Sequence, residues 1–346
     1  MRARSWVLLV LVLAGCKLPH RRSHDAGVST VSATAPAAFV ASAAPESDAG
    51  DPSPDEADEA LRKGFDLHQK ACRDKDMAGC IDVGIDYLNG RGVGQDSARA
   101  ASLFEQACTA GDATGCYDLG LQVRRGKGVA KDDARARSLF IKACSGGEMD
   151  GCVSLGKQYR DGEGVPVDDA KAFSYFKKAC EANAAQGCTY VGLMYDDGRG
   201  VPKSTARGAA FYKKACDQND DDGCHNLGWD YQEGDGVAKD LAMAARLYRT
   251  ACEHGHGNAC ANLGLLYENG TGVSPDQATA NKLYRKACDA GSAAGCRNLG
   301  QNYEKGIGLP RDVTTAARLY KQACDGGNAN ACTDYGLLMR KPRASE

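Results

Sequence analysis

Hydrophobic and polar positions recur along this chain with a period of 36 residues. Counted from the second of two regularly placed cysteines, position 3 is apolar, position 4 is glycine and position 7 is usually tyrosine. Positions 0, 3, 4 and 7 share one face of an α-helix, so the pattern predicts an amphipathic helix of about twelve residues, named helix A here. A fixed period of this size is typical of a solenoid, in which each unit buries its apolar face against its neighbours.

A second helix, named helix B, is predicted between one helix A and the next. It has a small residue eight places before the other cysteine, an aromatic residue four places before it, and alanine directly before it. Asp132 and Asp168 stand where they would cap such a helix. Helix A is expected to end at a Gly-x-Gly-Val segment, as at Gly90 and Gly92, because glycine suits a helix C-cap. A phosphate loop is not favoured there, since no strand precedes it and no Lys-Ser/Thr follows at P-loop spacing.

Sixteen of the 17 cysteines form two series with this same period. Each helix B cysteine precedes a helix A cysteine by eight residues, with glycine-containing turns between them. A bond at this separation requires the chain to reverse, because a disulfide needs Cα atoms within about 7 Å. The rival pairing joins the two ends of one A/B hairpin, such as Cys80 to Cys108, and leaves Cys72 and Cys332 without partners. The pairing that uses all sixteen is favoured: Cys72–Cys80, Cys108–Cys116, Cys144–Cys152, Cys180–Cys188, Cys216–Cys224, Cys252–Cys260, Cys288–Cys296 and Cys324–Cys332.

No metal and no cofactor are predicted. Zinc sites need four converging ligands, usually with closely spaced cysteine pairs, whereas the pairs here are isolated. His254 and His256 lie in one turn, and without a carboxylate cluster beside them in the sequence they are expected to be solvated.

Residues 1–16 predict a lipoprotein signal peptide. Arg2 and Arg4 precede an apolar core that is too short to span a bilayer as a stable helix. The core ends in LAGC, which resembles a bacterial lipobox and assigns lipidation to Cys16. Lys17 stands where aspartate would be the inner-membrane retention signal. The resemblance therefore implies the bacterial cell envelope, with a lipid anchor in the outer membrane that faces the periplasm or the cell surface.

The rest of the chain divides into three segments. Residues 17–56, rich in Ala, Ser and Pro, are expected to form a disordered tether. Residues 57–341 carry the repeats, and 342–346 form a C-terminal tail. Without the signal peptide, 41 basic and 45 acidic residues give a net charge of −4 with no basic stripe. This charge argues against nucleic acid as a partner.

The consensus pattern of the repeat units is GC-x-x-x-G-x-x-Y-x-x-G-x-G-V, followed by a helix B that usually ends in K/Q-A-C. This pattern resembles the Sel1-like repeat, a relative of the tetratricopeptide repeat. The version with paired cysteines resembles the Helicobacter cysteine-rich proteins. The resemblance implies an all-α fold, a right-handed αα-hairpin solenoid of eight 36-residue units stapled by disulfides. It also implies a scaffold for proteins or peptides, and it links the cysteine-rich group to penicillin binding and β-lactamase activity.

Acylating hydrolases of the serine β-lactamase type need S-x-x-K, S-D-N and K-T-G elements. S-x-x-K occurs as Ser154 with Lys157 and as Ser174 with Lys177, while the other two elements are missing from the sequence. About one S-x-x-K match is expected by chance in a chain of this length. These four residues are therefore weak catalytic candidates, and a penicillin-binding or β-lactamase-type hydrolase is the alternative function.

Positions 2, 5, 6 and 9 of helix A point away from its Cys/Gly/Tyr face and, in a tetratricopeptide-like superhelix, would line the concave surface. Successive asparagines at position 2 would hold an extended peptide backbone, since each side chain has a donor and an acceptor. A tryptophan at position 5 would add an apolar anchor. The predicted ligand-binding residues are Asn226, Trp229, Asn262, Asn298 and Tyr190. The alternative, in which position 2 is merely polar and the tryptophan packs between helices, stays open.

The predicted function is thus a membrane-anchored repeat scaffold that binds a protein or peptide in its concave groove. Its only contact with the membrane is expected to be the lipid.

Overall fold

The computed structural model describes residues 54–340, and this part of the chain consists of sixteen α-helices without a strand. The helices are α1 (Pro54–Arg73), α2 (Met77–Asn89), α3 (Ser97–Thr109), α4 (Ala113–Arg125), α5 (Asp133–Ser145), α6 (Met149–Asp161), α7 (Asp169–Glu181), α8 (Ala185–Asp197), α9 (Thr205–Cys216), α10 (Asp221–Glu233), α11 (Leu241–Glu253), α12 (Gly257–Asn269), α13 (Gln277–Asp289), α14 (Ala293–Lys305), α15 (Val313–Asp325) and α16 (Ala329–Arg340). The predicted signal peptide, Cys16 and residues 17–53 of the predicted tether lie outside the described residues. Helix α1 begins at Pro54, inside the segment predicted as tether.

Even-numbered helices are the predicted helices A, and odd-numbered helices are the predicted helices B. They form seven complete A/B hairpins, from α2/α3 to α14/α15, with α1 before the first and α16 after the last. Three successive pairs of even-numbered helices also contact each other: α2 with α4, α8 with α10, and α12 with α14. Among the described helices no two odd-numbered ones make comparable contact, so the helices A form the closer-packed layer.

Capping residues in the sequence set the helix ends. The Asp132 carboxylate accepts the Arg135 backbone N–H at 2.8 Å and so caps helix α5. At the end of helix α2, Gly90 adopts the left-handed conformation with φ of 69°. The second glycine of the same segment has a different role. A Cβ at Gly128 would overlap the backbone carbonyl of Ser97, so this glycine lets the loop of one hairpin lie against the preceding helix B.

Each disulfide joins the last turn of a helix B to the first turn of the following helix A. The eight bonds have Cα–Cα distances of 4.4 to 4.7 Å at a sequence separation of 8, which are the pairs favoured from the sequence. The chain reverses between the paired cysteines, as at Gly111, where φ is 93°. Disulfides in this number indicate folding in an oxidising compartment outside the cytoplasm.

The position 4 glycines form the seam of each A/B hairpin. A Cβ added at Gly120 would lie 2.6 Å from Cε1 of Phe140, which is fully buried on the following helix B. The same aromatic position is buried in all seven hairpins and is occupied by Phe104, Phe140, Phe176, Tyr212, Tyr248, Tyr284 and Tyr320. Glycine is required there because the ring occupies the volume of its missing side chain.

Gly120→Ala is therefore expected to destabilise the protein by about 1–3 kcal/mol, the usual cost of overpacking a well-filled core. Gly336→Ala is the matched control, because it changes the same position in α16, where no atom lies within 4 Å of an added Cβ. Alanine there should be neutral or stabilising by up to about 1 kcal/mol through helix propensity. Chemical unfolding of both variants measures the difference, and equal effects would contradict the packing argument.

Candidate functional site

Position 6 of helix A does not face a groove, so that prediction is wrong. The residue at position 6 is buried in all eight helices A. It packs toward the preceding helix B, where Asp86 accepts from or pairs with His68 Nδ1 at 2.7 Å, and where Asn302 Nδ2 donates to Asn281 Oδ1 at 2.8 Å. The open side of helix A is narrower than a single helical wheel predicts.

Positions 1, 2 and 5 of the helices A, which we call the A-helix face, connect one repeat to the next. Position 1 of one helix meets position 2 of its successor. Nδ2 of Asn262 lies 3.2 Å from Nε2 of His225, and Nε of Arg297 donates to Oδ2 of Asp334 at 2.7 Å. Side chains at position 2 therefore make contacts within the protein as well as lying on the predicted ligand-binding face.

The predicted asparagine ladder is unequal along the A-helix face. Asn262 is half-buried beside His225, and half-buried Asn298 hydrogen-bonds the Tyr284 hydroxyl. Asn226 is buried, and its Nδ2 has no hydrogen-bond partner among the described residues. Trp229 is half-buried at position 5, one turn away. Of these three asparagines, Asn226 is the one whose Nδ2 makes no hydrogen bond within the described residues.

A group of residues on α4, α6 and α8 is the most strongly perturbed part of this face. We call Tyr117, Asp118, Ser154, Lys157 and Tyr190 the central cluster. The Tyr117 hydroxyl is hydrogen-bonded to Ser154, and burial together with nearby acidic residues raises the pKa of Tyr117 to about 12. The cluster combines two residues of α4 with the predicted candidates of α6 and α8, which belong to different repeats and to different predicted functions.

Asp118 is a buried carboxyl group with acidic residues around it. Its side chain is on a residue only 9% exposed, and no described residue donates a hydrogen bond to it. Burial, followed by the negative charges of Glu148, Asp112 and Asp150, raises its pKa to about 7. Near neutral pH the Asp118 carboxyl group is therefore partly ionised, and the described charged groups that shift its pKa are all acidic.

Lys157 and Tyr190 form the opposite, cationic end of the cluster. Burial lowers the pKa of Lys157, and the positive charges of Arg160 and Arg124 lower it further. Lys157 Nζ lies 4.9 Å, and Arg160 Cζ 5.1 Å, from the centroid of the Tyr190 ring, which stacks on Phe176 at 4.6 Å. A ligand with a cationic group at Asp118 and an anionic group at Lys157 would relieve crowded charge at both ends.

The two S-x-x-K matches lie on different helices. Ser154 and Lys157 belong to α6 in the central cluster, and Ser154 is only 6% exposed. Ser174 and Lys177 lie on the exposed side of α7, where Lys177 Nζ is 3.5 Å from Glu181 Oε1. The structure brings the second pair to no other candidate residue.

His254 and His256 have carboxylate partners that the sequence did not place beside them. His254 Nδ1 lies 2.8 Å from Asp221 Oδ1, and His256 Nε2 lies 3.1 Å from Asp222 Oδ1. Stacking of adjacent repeats supplies these carboxylates, while the side chains of His254 and His256 stay 49% and 18% exposed. Within residues 54–340 no group of three or more His, Cys, Asp or Glu side chains is arranged to hold a metal ion. No helix in this range has the length and apolar character needed to cross a membrane.

Sequence reasoning missed Tyr117 and Asp118. Asp118 stands at position 2, where asparagine or aspartate is common, so its residue type carries no signal. Its acidic neighbours at Glu148 and Asp150 come from the next repeat. Aligning each position 2 with the acidic start of the following helix A would have shown this crowding of charge.

The profile of the Sel1 repeat matches seven segments of the sequence, at residues 78–112, 113–148, 150–183, 185–220, 221–256, 257–292 and 293–328. Comparison with curated protein sequences gives no match.

Several solved structures are similar to this chain. A Sel1 repeat protein from Oxalobacter formigenes is 27% identical, with a TM-score of 0.61, over 81% of this chain and 81% of that one. A protective antigen of uropathogenic Escherichia coli strains, with an SLR fold, is 29% identical, with a TM-score of 0.60, over 83% of this chain. The match spans 61% of the length of that antigen. Cysteine-rich protein B of Helicobacter pylori is 38% identical over 38% of this chain and 96% of its own, with a TM-score of 0.33.

Proposed function

The chain belongs to the Sel1 repeat family, and from this premise we propose that it is an exported, lipid-anchored scaffold that binds a protein or peptide segment on its A-helix face. The lipid on Cys16 would anchor the protein, and this anchor would lie in the outer membrane of the bacterial envelope. The central cluster is the observation that carries the binding proposal. Its Asp118 carboxyl group is buried among acidic neighbours that help to raise its pKa to about 7, and within residues 54–340 it accepts no hydrogen bond.

An extended segment that crosses α4, α6, α8 and α10 fits this face. Packed helices lie about 8–10 Å apart, and an extended chain covers that distance in about three residues. A lysine or arginine of the ligand would neutralise Asp118. Further along, a backbone carbonyl would accept from Asn226 Nδ2, and an apolar side chain would pack against Trp229. Asn262 and Asn298 would contribute less, since both already have partners in the protein.

A photo-crosslinking residue introduced at Trp229 in the full chain tests this proposal in the envelope of the producing cell. We expect a defined peptide adduct that is lost on Asp118→Asn or Asn226→Ala and weakened on Asn262→Ala or Asn298→Ala. The matched control is the same crosslinker at Ile141, an exposed apolar residue on helix B. Equal adducts from both sites, or adducts unaffected by the substitutions, would contradict binding on the A-helix face.

A hydrolase acting on β-lactams is the second candidate, and one observation favours it. Lys157 follows Ser154 by three residues and has a lowered pKa, which suits a base that activates a serine. Ser154 is, however, buried and bonded to Tyr117. Turnover of a chromogenic cephalosporin that disappears in Ser154→Ala, but persists in Ser174→Ala, would establish this activity in place of simple binding.

A further inference from the structure

The first and last described helices each lack a neighbour that every other helix of their type has. Within residues 54–340, α1 is a helix B with no helix A before it, and α16 is a helix A with no helix B after it. The two vacant sides are complementary, because one accepts a helix B and the other accepts a helix A.

On α16 the vacant side is apolar and open. Gly336, at position 4, has no atom within 4 Å of an added Cβ, whereas the other seven glycines at this position face an aromatic ring. Met339, at position 7, is 59% exposed. Tyr335, at position 3, is half-buried, although this position is buried in all the other helices A.

On α1 the vacant side carries matching residues. Leu67, five places before Cys72, is 68% exposed. His68, four places before Cys72, takes the ring position that Phe or Tyr occupies in every other helix B, and its side chain is partly exposed. Gly64, eight places before Cys72, has nothing within 4 Å of an added Cβ.

The complete hairpins show how these two sides would fit. The residue five places before the helix B cysteine packs on position 7 of helix A: Tyr175 stacks on Tyr159 at 5.8 Å, and Phe211 on Tyr195 at 5.7 Å. The residue four places before that cysteine packs on the position 4 glycine. The same register between α16 and α1 pairs Met339 with Leu67 and places His68 on Gly336.

We propose that α16 of one copy of this chain binds α1 of a second copy as its missing helix B. The new interface continues the A/B packing found seven times within the chain. The hairpins also set the direction: Gly208, eight places before Cys216, lies against Asp196 at position 8 of α8, so Gly64 would lie beside Arg340 at position 8 of α16. Such a head-to-tail contact leaves one open side at each end, so it builds linear chains of molecules.

Two charge substitutions on the full, oxidised chain test the proposal. Leu67→Glu blocks the α1 side, and Met339→Glu blocks the α16 side. Sedimentation velocity of the unsubstituted protein should give masses that rise through multiples of the monomer as concentration increases. Each variant alone should stay monomeric, and an equal mixture should form dimers only, through the intact α16 of one variant and the intact α1 of the other.

Val167→Glu is the matched control, because it adds the same charge to an exposed apolar residue of an interior loop and should leave assembly unchanged. Circular dichroism checks that the variants keep their helices. Three results would overturn the proposal: an unsubstituted protein that is monomeric at every concentration, as if another segment of its own chain covered these sides; a single variant that dimerises alone; or a mixture without dimers.

Discussion

Complete reduction of the disulfides is expected to unfold the repeat array. In the chain-entropy model a bridge that closes about nine residues contributes about 2.6 kcal/mol, so the eight bonds contribute on the order of 20 kcal/mol before strain and non-additivity. The net stability of folded domains is about 5–15 kcal/mol. Loss of all eight therefore exceeds what the remaining contacts are expected to balance.

Far-UV circular dichroism during titration with a reductant, with free thiols counted by alkylation, measures this effect. We expect helical signal to fall as thiols appear. A single central bridge removed as Cys180→Ala with Cys188→Ala should cost about 2.6 kcal/mol. Removal of Cys324 and Cys332 is the comparison. It should lower the free energy of unfolding by less, because Cys332 is exposed and the last described helix packs against one neighbouring repeat only. A fully alkylated protein with native helical signal would show that helix packing alone holds the array.

The architecture could be predicted from the sequence because it depends on positions that recur within each repeat. The position 4 glycine, the aromatic residue of helix B and the two cysteines each contact a residue at a fixed sequence distance. One repeat therefore contains the information for its own hairpin and for its bond to the next. Helix ends followed from local chemistry as well, as at Asp132 and Gly90.

The A-helix face could be predicted only in part, because its properties depend on how neighbouring hairpins stack. A helical wheel places positions 2, 5 and 6 on one side, yet position 6 is buried, and Asp86 and Asn302 at this position bond the preceding helix B. The crowding of Glu148 and Asp150 around Asp118, and the contacts of His254 and His256 with aspartates, join different repeats. Such contacts vary from repeat to repeat, so periodicity does not reveal them.

The buried aromatic residues of the helices B also have contacts that the repeat period alone does not predict. The Tyr212 hydroxyl donates to Asp196 Oδ2 at 2.6 Å, and Tyr320 donates to Glu304 Oε2 at 2.9 Å. The three hairpins that use Phe have Leu88, Arg124 and Arg160 at the corresponding position 8 of helix A. The choice between Phe and Tyr thus follows the partner on the other helix and leaves basic residues beside the central cluster.

Asp118→Asn is expected to stabilise the protein strongly at alkaline pH. The folded-state pKa of Asp118 is about 7, above the ordinary value of 3.8, so the folded chain holds this proton to higher pH than the unfolded chain does. Stability is therefore lost as pH rises from about 4 through 7, and the loss is complete above the folded pKa. At 1.36 kcal/mol per pKa unit the penalty reaches about 4 kcal/mol at most, and asparagine removes it.

Urea unfolding of the oxidised protein at pH 4 and pH 8 measures this change. The gain from Asp118→Asn should be several kcal/mol at pH 8 and small at pH 4. Asp82→Asn is the matched control at the same position of α2, where the side chain is exposed and a smaller gain is expected. If Asp118 receives a cationic group of the ligand, the stabilised variant should also bind more weakly, and binding to the unsubstituted protein should weaken as pH falls below 7. A variant that is more stable but binds more weakly would identify Asp118 as a carboxylate that serves recognition at the expense of stability. Unchanged stability of Asp118→Asn at pH 8 would show that Asp118 is not a buried, uncompensated charge.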